Sequence, residues 1–126
     1  NYMKNIFKNI GIVLIGVIAG SFVNMCLIII GATIFPTSID FNYINAEFKY
    51  FFFPLLAHAI GTFSGAYICS KISTSNLLVY PMIIGLYFLF GGIYTITIIP
   101  SPLWFIVLDL SVCYIPMAWI AWKLNS

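Results

Sequence analysis

The sequence predicts an all-α membrane protein, a bundle of four transmembrane helices with both termini on the cytoplasmic side. Three observations point there. Of 126 residues, 63% are hydrophobic and only 6% are charged, too few ionic groups to solvate the surface of a soluble domain of this size. The apolar residues gather into four stretches, each near the ~20 residues a helix needs to cross ~30 Å of hydrocarbon. The lysines fall unevenly on the segments between them, which fixes an orientation. Membrane barrel strands would instead alternate in ~10-residue units, so helices are the spanning form expected here.

Span one is predicted over 10–35. Lys4 and Lys8 precede it as they would a secretory signal, but the run is longer than an h-region and no A-x-A site follows it, so it reads as a retained span. Span two is predicted over 50–69, with Pro54 in its first turn, where a missing N–H costs little. Span three (77–99) and span four (103–122) are separated only by Pro100-Ser101-Pro102, a turn that stops one helix and starts an antiparallel partner. Pro116 falls inside span four, frees the carbonyl of Val112 and predicts a kink. The loop over 36–49 holds Asp40 and Glu47 and is long enough for a short helix lying in the interface. The link over 70–76 is short and polar.

Four spans put Lys4, Lys8, Lys71 and Lys123 on one side and Lys49 alone on the other. The positive-inside rule then assigns the first side to the cytoplasm. Tyr50, Trp104 and Trp122 fall at span ends, where amphipathic rings favour the headgroup level. The whole chain reads as one membrane domain.

Small residues align along single helical stripes. Gly16, Gly20, Asn24 and Gly31 do so in span one, and Ala57, Gly61 and Gly65 in span two. In lipid such stripes let backbones approach and associate, within one chain or between copies.

Three residues are out of place in hydrocarbon: Asn24, His58 and Asp109. At ~1.5 Å per residue, His58 lies ~12 Å below Tyr50, Asp109 ~9 Å below Leu103 and Asn24 ~16 Å below Phe35, all in the outer half of the bilayer. An aspartate at mid-span costs ~2.5–3.5 kcal/mol unless it is protonated, paired or wetted. His58 is the other titratable group at that depth, so a contact between His58 and Asp109 across spans two and four is expected, with Asn24 close by. Such a cluster is either a proton or ligand site or a structural tie between helices. Ser21, Thr62, Ser64 and Ser111 are expected to bond mainly to their own helix backbones.

Several function classes are disfavoured. The chain has no arginine and a formal charge of only +2, which argues against nucleic acid as a partner. One histidine and three scattered cysteines, Cys26, Cys69 and Cys113, do not make a metal site, and the cysteines read as small buried hydrophobes. No cofactor motif and no catalytic motif of the H-E-x-x-H, G-x-S-x-G or P-loop kind is present, so no enzymatic activity or cofactor is expected. An intramembrane enzyme would need Thr62 or Ser64 as nucleophile beside His58.

The run Phe53-Pro54-Leu55-Leu56-Ala57-His58-Ala59-Ile60-Gly61-Thr62, followed by Gly65-Ala66 and Gly91-Gly92-Ile93, resembles a family of uncharacterised short four-span bacterial inner-membrane proteins. So do Gly20-Ser21 and Val23-Asn24-Met25, the stretch Pro102-Leu103-Trp104-Phe105 to Leu108-Asp109-Leu110, and Tyr114-Ile115-Pro116-Met117-Ala118-Trp119. The likeness covers nearly the whole chain, although the first loop is shorter than the family pattern. It implies a multi-pass protein of the bacterial inner (plasma) membrane and carries no activity. The expected function is a non-enzymatic packing or interaction module, a homo-oligomer or an accessory subunit of a membrane complex. The alternative is a small transporter or channel that uses His58 and Asp109 as a proton- or ligand-linked pair, marked by a wet pocket opening outward at the cluster.

Overall fold

A computed structural model describes residues 2–74 and 77–126 and contains five helices and no strand among them. These are α1 (Tyr2–Ile34), α2 (Lys49–Ile72), α3 (Val79–Ile98), α4 (Leu103–Val112) and α5 (Ile115–Leu124). Four stretches are long and apolar enough to cross a membrane: Met3–Ile34, Lys49–Ile72, Val79–Ile98 and Leu103–Leu124, the last comprising α4 and α5 together. Of the link over 70–76, the last two residues lie outside the described part.

Packing is carried by small side chains. The buried cluster consists of Ile12, Ala66, Cys69, Ile84, Ala118 and Ala121, a set that brings α1, α2, α3 and α5 together at short range. α1 lies mainly along α2, and α5 sits against both α2 and α3, whereas α1 and α3 meet only slightly. Large apolar side chains such as Phe22, Phe90 and Leu103 point outward at 65–75% exposure. A surface of that kind is unsuited to water and is compatible with a multi-pass membrane protein.

Several elements differ from expectation. Helix α1 begins at Tyr2, well before residue 10, because nothing between Met3 and Asn9 breaks a helix and Lys4 and Lys8 are good helix formers. The loop over 36–49 carries turns and no interfacial helix. Its chain is held by Asn42, whose Oδ1 accepts the Ile44 N–H at 3.1 Å, a local side-chain bond that competes with helix formation. Phe41 folds back onto Tyr50 and Tyr43, with ring centroids 4.6 and 4.8 Å apart, so the loop forms an aromatic cover over the start of α2. Cys69 and Cys113 are buried, but Cys26 is exposed, because its position in α1 faces away from α2.

The kink expected from Pro116 takes the form of a two-residue break in the helix at Cys113 and Tyr114. α4 ends at Val112, and Pro116 occupies the first turn of α5, where it has no N–H to lose. The ladder bridges the gap through Cys113 N–H to the Asp109 carbonyl at 3.1 Å and Ala118 N–H to the Tyr114 carbonyl at 3.0 Å.

Candidate functional site

The site begins with the crossing of α1 and α2. A Cβ at Gly20 would lie 2.7 Å from the Gly61 carbonyl oxygen, one at Gly16 2.9 Å from that of Gly65, and one at Gly65 2.5 Å from that of Gly16. Both glycine stripes therefore meet each other inside one chain, backbone on backbone. Gly31 continues the stripe beneath the Phe53 ring. Gly61 also makes room for Asn24, whose Cβ would be 3.0 Å from a methyl at position 61. Close approach of the two backbones is thus what sets Asn24 beside the polar residues of α2.

One turn before Gly61, His58 Nδ1 lies 2.6 Å from Asp109 Oδ1, the contact expected across the second and fourth spans. Two such atoms come this close with a proton between them. Asp109 is 1% exposed and accepts a second bond on Oδ2, from the Tyr114 hydroxyl at 3.1 Å. The Tyr114 ring also stacks on the imidazole, with centroids 5.8 Å apart and an interplanar angle of 27°. Both carboxylate oxygens are therefore met by donors, which is how a carboxylate is tolerated away from water. The pair is not held alone: Cys113 Sγ reaches the Leu55 carbonyl at 3.6 Å and pins the interruption against α2.

Tyr114 reaches Asp109 because the helix is broken. In an unbroken helix a residue five positions on points ~140° away from the first. The turn at Cys113 and Tyr114 resets that rotation and swings the phenol back toward the carboxylate. Gly92 of α3 completes the arrangement: a Cβ there would lie 2.5 Å from the Tyr114 hydroxyl oxygen, so the absence of a side chain is what gives the phenol its place.

Two cavities meet at His58. The larger, about 260 Å³, has His58 and Asp109 at its floor, Phe51, Phe53 and Phe105 among its walls, and Thr37, Tyr43 and Ser101 toward the loops. Lys49 also lines it, with its ammonium 5.7 and 5.2 Å from the ring centres of Phe35 and Tyr50, a cation–π arrangement. The smaller, about 110 Å³, is lined by Asn24, Thr62 and Tyr114. His58, Gly92 and Thr95 border both.

Asn24 Oδ1 and Thr62 Oγ1 are buried and have no hydrogen-bond partner. Each such atom costs about 1–3 kcal/mol unless something meets it. Asn24 shares the smaller cavity with His58 and is not bonded to it. Among the hydroxyls, Ser111 bonds to the Val107 carbonyl at 2.6 Å and Thr95 to that of Gly91 at 2.8 Å, the local pattern that spans favour. Thr62 departs from it. Sequence reasoning left Tyr114 out of the cluster and discounted Thr62. The available signals were a phenol two residues before the kinking proline and a hydroxyl four residues after His58, on the same helical face.

No group of three or more histidine, cysteine, aspartate or glutamate side chains placed to hold a metal occurs among the described residues. Comparison with protein-family models, curated proteins and solved structures found no match to this chain.

Proposed function

We propose that this chain is a small transporter: a four-helix bundle of the bacterial inner membrane, both termini cytoplasmic, whose His58–Asp109 pair forms the proton-linked floor of an outward-opening solute pocket. One observation carries the reading. The buried His58–Asp109 contact also lines a cavity of about 260 Å³ that extends to the loop residues Thr37, Tyr43 and Ser101. Intramembrane ionisable residues mark ion and substrate routes, and a proton shared at 2.6 Å can be handed over when the pair changes partner. The lysine distribution supports a pocket mouth on the outer side.

The packing-module reading has less support than it had from sequence alone. Its contact faces were to be the glycine stripes, and Gly16, Gly20, Gly61 and Gly65 are taken up by each other within the chain. An enzyme reading lacks an activated nucleophile, since Thr62 Oγ1 makes no hydrogen bond to His58.

The test is proton flux in sealed proteoliposomes, following internal pH and membrane potential under an imposed gradient. Wild type is expected to move protons and an Asp109→Asn variant to lose that movement while remaining folded. Wild-type vesicles that behave like empty ones would overturn the proton-linked reading.

A further inference from the structure

The two cavities differ in chemistry, and the difference specifies a ligand. The larger is walled by aromatic rings and suits an aliphatic body. The smaller holds two buried oxygens without partners, Asn24 Oδ1 and Thr62 Oγ1. An amide oxygen only accepts, and a hydroxyl oxygen accepts as readily as it donates, so together they suit a hydrogen-bond donor. The carboxylate of Asp109 lies just beyond, through Tyr114 and His58, and disfavours an anion. Lys49, which would attract one, stands in the larger cavity against Phe35 and Tyr50. The cavities share His58, Gly92 and Thr95 as a common border, and Gly92 contributes no side chain there.

We infer that the two cavities are compartments of one site for an amphiphile with an aliphatic chain and a donating, non-anionic head, an alcohol or an ammonium. The head lies on Asn24 and Thr62 and the chain fills the aromatic compartment toward the loops. This assignment rests on the proposed reading of the larger cavity as a solute pocket. It makes Asn24 and Thr62 specificity residues and His58 the partition that the head passes.

The experiment uses ω-brominated alkanol, alkylammonium and alkanoate probes of one chain length. They are titrated into the reconstituted protein with Trp104 as its only tryptophan (Trp119→Phe, Trp122→Phe). Trp104 packs on Phe51 and Phe105, with centroids 5.2 and 6.1 Å away, and both rings line the larger cavity. With the head on Asn24 and Thr62, a chain long enough to reach Phe51 and Phe105 brings its bromine to the rings on which the indole packs. Saturable quenching by alkanol and ammonium is expected at about tenfold lower concentration than by alkanoate, the equivalent of roughly 1.4 kcal/mol. The near-isosteric Thr62→Val, and separately Asn24→Leu, should erase most of that preference. Equal quenching by all three probes, or a preference that both variants leave intact, overturns the assignment of the head while the solute pocket stands. Absence of saturable quenching by any probe overturns both.

Discussion

Gly92 and the Tyr114 hydroxyl occupy one space: a Cβ at position 92 would sit 2.5 Å from the phenol oxygen and 2.8 Å from the ring carbon that bears it. Tyr114 is 2% exposed and cannot swing clear without disturbing its neighbours. Gly92→Ala should therefore destabilise the protein by about 1–3 kcal/mol, as overpacking does. In a Tyr114→Phe background the nearest atom is gone, and the penalty should shrink without vanishing. Unfolding in mixed micelles, across the four combinations, measures both effects.

The α1–α2 crossing predicts opposite outcomes for two glycines of the same type. Gly65→Ala drives a methyl against the Gly16 carbonyl, which is backbone and can yield only by parting the helices. Gly11 has nothing within 4 Å of such a methyl, and alanine favours a helix over glycine by up to ~1 kcal/mol. Gly65→Ala should lower the unfolding midpoint, and Gly11→Ala should leave it unchanged or raise it.

His58 and Asp109 should behave as a unit. Removing His58 leaves Asp109, 1% exposed, with one donor fewer, a loss on the order of 3–5 kcal/mol where a buried pair is broken. His58→Ala, Asp109→Ala and the double variant should show a coupling of about 1–3 kcal/mol, the range for residues in direct contact. Additive losses would remove the pair as an energetic entity. His58 retains 20% side-chain exposure, so its single substitution should be the milder of the two.

Restoring an N–H at position 116 tests what the interruption does for the site. Pro116→Ala allows a bond to the Val112 carbonyl and a continuous helix, which would turn Tyr114 away from Asp109. Ultraviolet resonance Raman of the tyrosines should then lose the signature of a donated phenolic hydrogen bond, as it should in Tyr114→Phe. An unchanged signal in Pro116→Ala would mean that packing around Tyr114, rather than the proline, holds the bend.

Orientation is open to labelling. With Cys26, Cys69 and Cys113 replaced by alanine, Ser38→Cys should react with an impermeant maleimide on intact cells, and Lys71→Cys only after permeabilisation. The reverse pattern would place the pocket mouth in the cytoplasm.

The four long apolar helical stretches were legible because apolar length and prolines at the ends are local properties, and the pairing of His58 with Asp109 was legible because few polar side chains interrupt those stretches. Tyr114 was hidden, since its direction depends on how far the chain turns at the break, which a count of positions does not give. Thr62 was hidden by the habit of span hydroxyls, which Ser111 and Thr95 follow. The cavities depend on the volumes left between aromatic side chains from four helices, and no single stretch encodes them. The loop over 36–49 misled for a local reason: Asn42 bonding to Ile44 takes up a backbone donor that a helix would have used.

The interruption between Val112 and Ile115 also changes what the last span is mechanically. Each half is ten residues, a rod of ~15 Å that falls short of the hydrocarbon thickness by about half. Only end to end are the two rods long enough to cross a membrane, and the joint between them sits one turn from Asp109. The His58 and Tyr114 contacts of Asp109 are thus made beside the joint between two short rods, and Lys123 lies at the far end of the second.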